Sequence, residues 1–175
     1  GHRLVFCVNM AEDPIQNAHR KGRFYEAAEL DALRALLPTA PVVLDVGANV
    51  GNHAMYFALI AGAAKVVVVE PNPLAIGPLV GNVLLNRLEG VIDLGHLGFG
   101  LSDRNAGGYH MKVHDRNLGA TKMQPSGGSL RVQRGDDAFP DLSPDLLKID
   151  VEGMEMEVLR GLETLIARAR PLMMV

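Results

Sequence analysis

The chain has 175 residues, of which 48% are hydrophobic and 21% charged, a composition typical of a globular domain large enough to fold around its own core. No apolar run reaches the roughly 20 residues of a membrane helix. A formal net charge of −3 without a long Lys/Arg run argues against nucleic acid as a partner. The single cysteine, Cys7, cannot form an internal disulfide, which favours a reducing, cytoplasmic location, and a small buried hydrophobe is its simplest role.

Residues 1–23 are interpreted as an N-terminal extension, and residues 24–175 as the domain proper. The extension begins with Gly1-His2, which has the form of a scar left by tag removal. Apolar residues then recur at three- and four-residue steps up to Pro38, which predicts a helix over residues 24–37.

Five short apolar runs predict buried parallel strands, at residues 42–46, 65–70, 91–97, 146–150 and 172–175. Helical patterns separate most of them. One helix is predicted over residues 52–61 and another from Asn72, a capping residue, with Pro73 at its first position. We expect Gly77-Pro78 to break or kink this second helix. An apolar stripe from Met154 to Ala169 predicts a third.

This alternation predicts an α/β fold with a doubly wound, mostly parallel sheet that carries helices on both faces. Residues 100–140 interrupt the pattern. Two alternating segments there, residues 109–113 and 129–133, predict an inserted antiparallel hairpin within about 105–135. Such an insertion either shapes ligand choice or is a surface hairpin.

A glycine-containing turn follows the first predicted strand, in the sequence Asp45-Val-Gly47-Ala-Asn-Val-Gly51-Asn. Asparagines stand at the third and sixth positions counted from Gly47, so the dinucleotide-binding fingerprint is absent. Glu70 ends the next strand, where a carboxylate can accept hydrogen bonds from two ribose hydroxyls. The pattern favours a nucleoside with an amino-acid tail. The alternative is that the glycines only form a turn and that Glu70 is a solvated strand end.

A second polar motif, Leu-Lys-Ile-Asp-Val-Glu-Gly at 147–153, follows the fourth predicted strand. Asp150 and Glu152 are candidates for contact with a second substrate, as a general base or as groups that orient a hydroxyl. The histidines His53 and His114 are further candidate bases, and none of the six histidines forms a metal-binding pair on one helix face. Alternatively, Glu152 begins a helix and Lys148 is a surface residue or an ion-pair partner.

Taken in order, these motifs resemble the FkbM-type family of S-adenosylmethionine-dependent methyltransferases, which have a Rossmann-like fold. The resemblance covers about 24–175 and is carried by Tyr25-Glu26, the turn from Asp45 to His53, Glu70-Pro71-Asn72-Pro73, the pair Asn82 and Asn86, Leu101-Ser102-Asp103, Asn117-Leu118-Gly119, and the motif at 147–153.

The resemblance implies S-adenosylmethionine as the cofactor and O-methylation of a sugar or small-molecule hydroxyl as the activity; no residue is assigned to a metal. It implies that Asp45, Gly47, Asn49 and Gly51 cradle the methionine part, that Glu70 holds the ribose, and that Asn72, Ser102 and Asp103 border the adenosine; Ala48, Asn52 and Pro71 complete the implied binding set. Asp150 and Glu152 match the motif that faces the acceptor.

One departure from the family is that its domains usually have two more strands after the one predicted at 172–175, with an acidic residue between. We therefore expect a trimmed sequence, or an open sheet edge that pairs with another chain as a homo-oligomer. The rival functions are a nicotinamide-dependent oxidoreductase and a non-catalytic module that binds an adenosyl ligand or a partner protein.

Overall fold

The computed structural model describes residues 4–112 and 116–175, so the candidate base His114 lies outside the described residues. In chain order the strands are β1 (Val42–Val46), β2 (Lys65–Glu70), β3 (Ile92–Leu97), β4 (Gly100–Ser102), β5 (Ala106–Lys112), β6 (Lys122–Pro125), β7 (Leu130–Arg134), β8 (Leu146–Ile149) and β9 (Leu172–Met174). The helices are α1 (Pro14–Arg20), α2 (Ala27–Arg34), α3 (Asn52–Leu59), α4 (Pro73–Leu85), α5 (Gly135–Ala138), α6 (Glu155–Gly161) and α7 (Glu163–Ala169).

The central sheet is parallel, in the spatial order β3-β2-β1-β8-β9. All five predicted strands are confirmed, with ends that differ by one residue at most. The chain winds outward from β1 to β3 and then returns to the other side of β1 with β8. The winding direction therefore reverses between β1 and β8, and the loops after these two strands border the crevice where open α/β sheets bind ligands.

Both faces of this sheet are covered by helices, as predicted. Val43 and Val66 belong to a core cluster with residues of α2, α3 and α4. Their neighbours Leu44 and Val67 point to the opposite face, into a cluster with residues of α6 and α7. Successive side chains of a strand alternate between faces, so strands that are apolar at nearly every position are buried on both sides. The doubly wound α/β fold is confirmed.

The inserted segment is a second sheet of four strands, in the order β4-β7-β5-β6, which is larger than the predicted hairpin. The two predicted segments do pair as antiparallel strands, β5 with β7. However, β5 also pairs with β6 on its other side, and β4 adds to β7 in parallel. The strands β4 and β6 are only three and four residues long, so they carry too little alternation to be recognised in the sequence.

Helix α4 continues through Pro78, so of the predicted break or kink at Gly77-Pro78 the break is wrong, and the kink stays a prediction. Proline removes the N–H that would bond the carbonyl oxygen of Leu74, four residues earlier. The side-chain amide of Asn9 donates to that same carbonyl at 2.8 Å. A group from the N-terminal segment thus replaces the missing helix hydrogen bond.

The N-terminal segment packs along α4 through the two family-type asparagines. Asn82 is fully buried; its amide donates to the Val50 carbonyl at 2.7 Å and its oxygen accepts from the backbone N–H of Cys7 at 2.6 Å. Asn86 exchanges hydrogen bonds with both backbone groups of Val5. These side chains join the segment, α4 and the turn after β1.

Within the described part of the chain, no helix combines the length and the apolar character that crossing a bilayer requires.

Candidate functional site

The turn after β1 is held in a conformation that suits glycine. Gly47 and Gly51 have φ angles of +78° and +82°, in the left-handed region. A Cβ on Gly47 would lie 2.9 Å from the carbonyl carbon of Asp150 and closer still to its oxygen, so a side chain does not fit there. The N–H of Gly47 donates to the Val69 carbonyl at 2.9 Å. The turn is therefore fixed between the ends of β2 and β8.

Glu70 binds this turn directly. Its side chain accepts the backbone N–H of Asn49 at Oε2 and that of Asn72 at Oε1, each at 2.7 Å. Glu70 is only 5% exposed, so it is not a solvated strand end. Burial raises the pKa of Glu70 to about 7, while the two N–H bonds act in the opposite direction. Each carboxylate oxygen keeps a second lone pair for a ligand.

The turn and Glu70 line one cleft, which we call the first cleft. Seven of the sequence-predicted residues line it: Gly47, Asn49, Glu70, Pro71, Asn72, Asp150 and Glu152. Its remaining wall is largely apolar and comes from β1, β2 and the second sheet with its connecting segment, including Leu101, Met111, Leu118 and Met123. The inserted segment thus covers the crevice at the switch of winding direction.

Six predicted binding residues lie outside this lining. Asn52 is buried and bonds the backbone N–H and carbonyl of Tyr25, at 2.9 and 3.0 Å. Ala48 and Gly51 shape the turn itself. Ser102 is fully buried and hydrogen-bonds Asp103, while Gly100 and Leu101 face the cleft in their place.

The sixth is Asp45, which forms a buried ion pair under the turn. Lys148 Nζ lies 3.1 Å from Asp45 Oδ1 and donates to the Gly47 carbonyl at 2.6 Å. The two residues are neighbours across β1 and β8, and neither is more than 3% exposed. Lys148 is therefore the ion-pair partner that the sequence left as one alternative, and it stabilises the turn from below.

Asp150 and Glu152 both reach the first cleft. The Asp150 side chain is 62% exposed, which leaves its carboxylate accessible. Glu152 has a φ of +56°, and burial together with the Asp150 carboxylate raises its pKa. Because α6 begins only at Glu155, Glu152 is not a helix-start residue. A non-glycine residue in this strained conformation at a cleft is typical of functional sites.

A second cleft, of about 280 Å³, lies on the α3 side of β8. Its lining consists of Glu26, His53, Lys148, Ile149, Asp150, Glu155, Met174 and Val175. His53 Nε2 lies 3.3 Å from Glu26 Oε2. Burial, and then the positive charge of Lys148, lower the pKa of His53 to about 4 against the effect of Asp45, so the imidazole is neutral near pH 7.

Sequence reasoning missed the second cleft. Glu26 entered only as part of a resemblance, and His53 as one of two candidate histidines. Neither residue lies near β8 in sequence, so only the fold brings them to Asp150. In the described ranges, 4–112 and 116–175, no group of three or more His, Cys, Asp or Glu side chains is arranged to hold a metal ion.

Comparison with known proteins agrees with the fold. The crystal structure of methyltransferase FkbM from Methylobacillus flagellatus KT superposes with a TM-score of 0.55 over 79% of this chain and 34% of the other, at 20% identity, which shows a shared fold. The fold is thus that of the Rossmann-like methyltransferases.

The sequence defines the family more narrowly. The model of the methyltransferase FkbM domain matches residues 45–175, and the chain belongs to that family. It is 32% identical over 174 residues to the hexuronic acid methyltransferase AglP of Haloferax volcanii, covering 93% of this chain and 65% of that protein. It is 30% identical over 167 residues to methyltransferase sdnD of Sordaria araneosa, covering 74% and 63%. The chain therefore spans just under two-thirds of these curated relatives.

Proposed function

We propose that this protein transfers a methyl group from S-adenosylmethionine to a hydroxyl oxygen of a sugar or another small molecule. The observation that carries the proposal is the hydrogen bond from Asn49 to Glu70, which joins the glycine turn and the acidic end of β2 in one cleft. Membership in the methyltransferase FkbM domain family supports the same reaction class.

The residues of the first cleft fit the cofactor. The side-chain oxygen of Asn49 is buried without a hydrogen-bond partner among the described residues, and it belongs to a cleft residue. An ammonium group of an amino-acid tail is a suitable donor for it. We assign the turn at Gly47 and Asn49 to the methionine part, Glu70 to the ribose, and the apolar wall with Leu101 and Asn72 to the adenine.

The cofactor supplies a methyl group already activated on a positively charged sulfur, so the protein has to align the acceptor and assist the loss of its proton. Asp150 is suited to holding the acceptor oxygen in line with the methyl group, because it lines both clefts and its side chain is exposed. Glu152, on the first cleft alone, is suited to orienting the acceptor. The hexuronic acid methyltransferase among the relatives supports a sugar ring as the acceptor, although a hexuronic acid, unlike the acceptor inferred below, carries a carboxylate.

Calorimetry with S-adenosylhomocysteine and with NADH tests the cofactor assignment. We expect binding of the first and none of the second, and the reverse would support the oxidoreductase alternative. Transfer of a labelled methyl group to a panel of glycosides tests the activity. Asp150→Asn should keep the affinity for S-adenosylhomocysteine and lower turnover. Unchanged turnover in this variant would remove Asp150 from the chemistry, and binding without transfer to any acceptor would favour a non-catalytic module.

A further inference from the structure

We propose that the second cleft binds the methyl acceptor as an uncharged polyol, and that the Glu26 carboxylate takes the proton of the attacked hydroxyl. This inference rests on the proposed function and assigns the acceptor side of the same reaction. It goes beyond the sequence motifs, which point only to the residues after β8.

The position of the second cleft is the first argument. Asp150 lines both clefts, so they meet at one residue at the carboxyl end of β8. A donor in the first cleft and an acceptor in the second would approach each other across this residue. The second cleft has a volume of about 280 Å³, near the lower end of ordinary ligand pockets, which is enough for a sugar ring.

The way Glu26 is held is the second argument. Glu26 has a φ of +54° just before α2, a strained conformation for a residue with a side chain. The Glu26 side chain is 37% exposed, while the His53 side chain behind it is only 10% exposed. A neutral imidazole with its proton on Nε2 can donate to Glu26 across the 3.3 Å contact. His53 is thus a positioning residue, and Glu26 is the group that reaches the cleft.

The surroundings of Glu26 also suit a base. Burial, and then the charges of Asp150 and Glu29, raise the pKa of Glu26, while Lys148 has the opposite effect. A carboxylate whose pKa moves toward neutrality is a more effective proton acceptor than an ordinary glutamate. The groups that face it are His53 of α3, Lys148 and Asp150 at the end of β8, and Glu29 of its own helix.

The charge of the cleft determines which acceptor it favours. Three carboxylates line it, those of Glu26, Asp150 and Glu155, against the single ammonium of Lys148. That ammonium lies 3.1 Å from Asp45 and 3.9 Å from Asp150, and its own side chain is 4% exposed. Hydroxyl groups can donate to the carboxylates, whereas an acceptor that carries a carboxylate would be repelled.

In the proposed step, the acceptor oxygen forms a bond to the methyl carbon as the carbon–sulfur bond breaks, and the electron pair of that bond stays on sulfur. The hydroxyl proton passes to Glu26. The products are a methyl ether, S-adenosylhomocysteine and a protonated Glu26, which returns its proton to water. A carboxylate acceptor would have no proton to lose and would not need this base.

The test compares Glu26→Gln with Glu89→Gln, which removes the same charge from an exposed position in the turn before β3. The probes are a panel of methyl glycosides, each paired with the uronic acid that differs only by its carboxylate. Binding without cofactor is followed by the ring NMR signals of His53. Calorimetry with S-adenosylhomocysteine and urea unfolding are run in parallel, because they report the first cleft and the fold separately.

We expect uncharged glycosides to shift the His53 signals at concentrations at least tenfold lower than their uronates. We expect Glu26→Gln to lower turnover about 100-fold or more and to remove the acidic limb of its pH profile, with S-adenosylhomocysteine binding unchanged. Glu26→Asp should restore part of the turnover, and Glu89→Gln should behave as the unaltered chain.

Stronger effects from the uronates, no effect on His53 from any probe, or normal turnover in a folded Glu26→Gln would each overturn the proposal. If the unaltered chain does not bind S-adenosylhomocysteine, the proposed function is contradicted instead.

Discussion

Replacing Gly47 by alanine tests how tightly the turn after β1 is packed against β8. Gly47 has a φ of +78°, and an added Cβ would lie 2.9 Å from the Asp150 carbonyl carbon. The neighbour is backbone at the end of a central strand, so it cannot rotate away. Gly62→Ala is the matched control, because Gly62 has a φ of +66° and nothing lies within 4 Å of its added Cβ.

The difference between the two variants isolates the steric contact. A left-handed alanine costs about 1 kcal/mol at either position. At Gly47 the backbone must also move, and overpacking of this kind costs about 1–3 kcal/mol. The same movement stretches the bonds from Gly47 to Val69 and from Lys148 to Gly47. We therefore expect Gly47→Ala to lose about 2 kcal/mol more unfolding free energy than Gly62→Ala.

Urea unfolding of both variants measures this difference, and calorimetry with S-adenosylhomocysteine measures its consequence for the first cleft. Gly47→Ala should lose affinity, because the turn moves away from Glu70, whereas Gly62→Ala should keep it. Equal losses of stability in the two variants would show that the contact with Asp150 is not tight, and the reasoning would be refuted.

Three further predictions concern buried polar groups. Because the pKa of Glu70 is raised from 4.5 to about 7, the folded chain keeps a proton between these two pH values that the unfolded chain has lost. The free energy of unfolding should therefore fall by about 3 kcal/mol as the pH rises through that window. Glu70→Gln should flatten this slope in urea unfolding, and an unchanged slope would contradict the assignment. Lys148→Met should lower the free energy of unfolding by about 3–5 kcal/mol, because it leaves Asp45 buried without its partner. Adding Asp45→Asn to this variant should recover part of the lost stability. Additive losses in the double variant would argue against the ion pair. Asn82→Ala should lower the free energy of unfolding by about 2 kcal/mol and speed amide hydrogen exchange at Cys7, whose N–H donates to Asn82. Unaltered exchange at Cys7 would contradict the role given to this hydrogen bond.

The central sheet could be predicted from the sequence because its signal is local. Strands such as residues 65–70 are apolar at nearly every position, as burial on both faces requires. The turn glycines and Glu70 could be placed at one sheet edge, because the carboxyl ends of parallel strands meet there. Their direct contact through the Asn49 N–H could not, since it depends on a φ of +51° at Asn49.

The features that escaped prediction depend on contacts between distant segments. Pro78 stays in α4 because Asn9, far earlier in the chain, bonds the freed carbonyl. The sequence left Lys148 open between a surface position and an ion pair, and its neighbour across the sheet, Asp45, decides for the buried pair. The second cleft arises where Glu26 and His53, from two helices, meet Asp150. Contacts between such distant segments cannot be predicted from the order of apolar and polar residues along the chain.

The most direct test of the account is a crystal structure of this chain with S-adenosylhomocysteine. We predict the ribose hydroxyls within hydrogen-bonding distance of Glu70, the amino-acid tail against Gly47 and Asn49, and the sulfur directed toward Asp150. A ligand bound elsewhere, or in this cleft with its ribose away from Glu70, would contradict it.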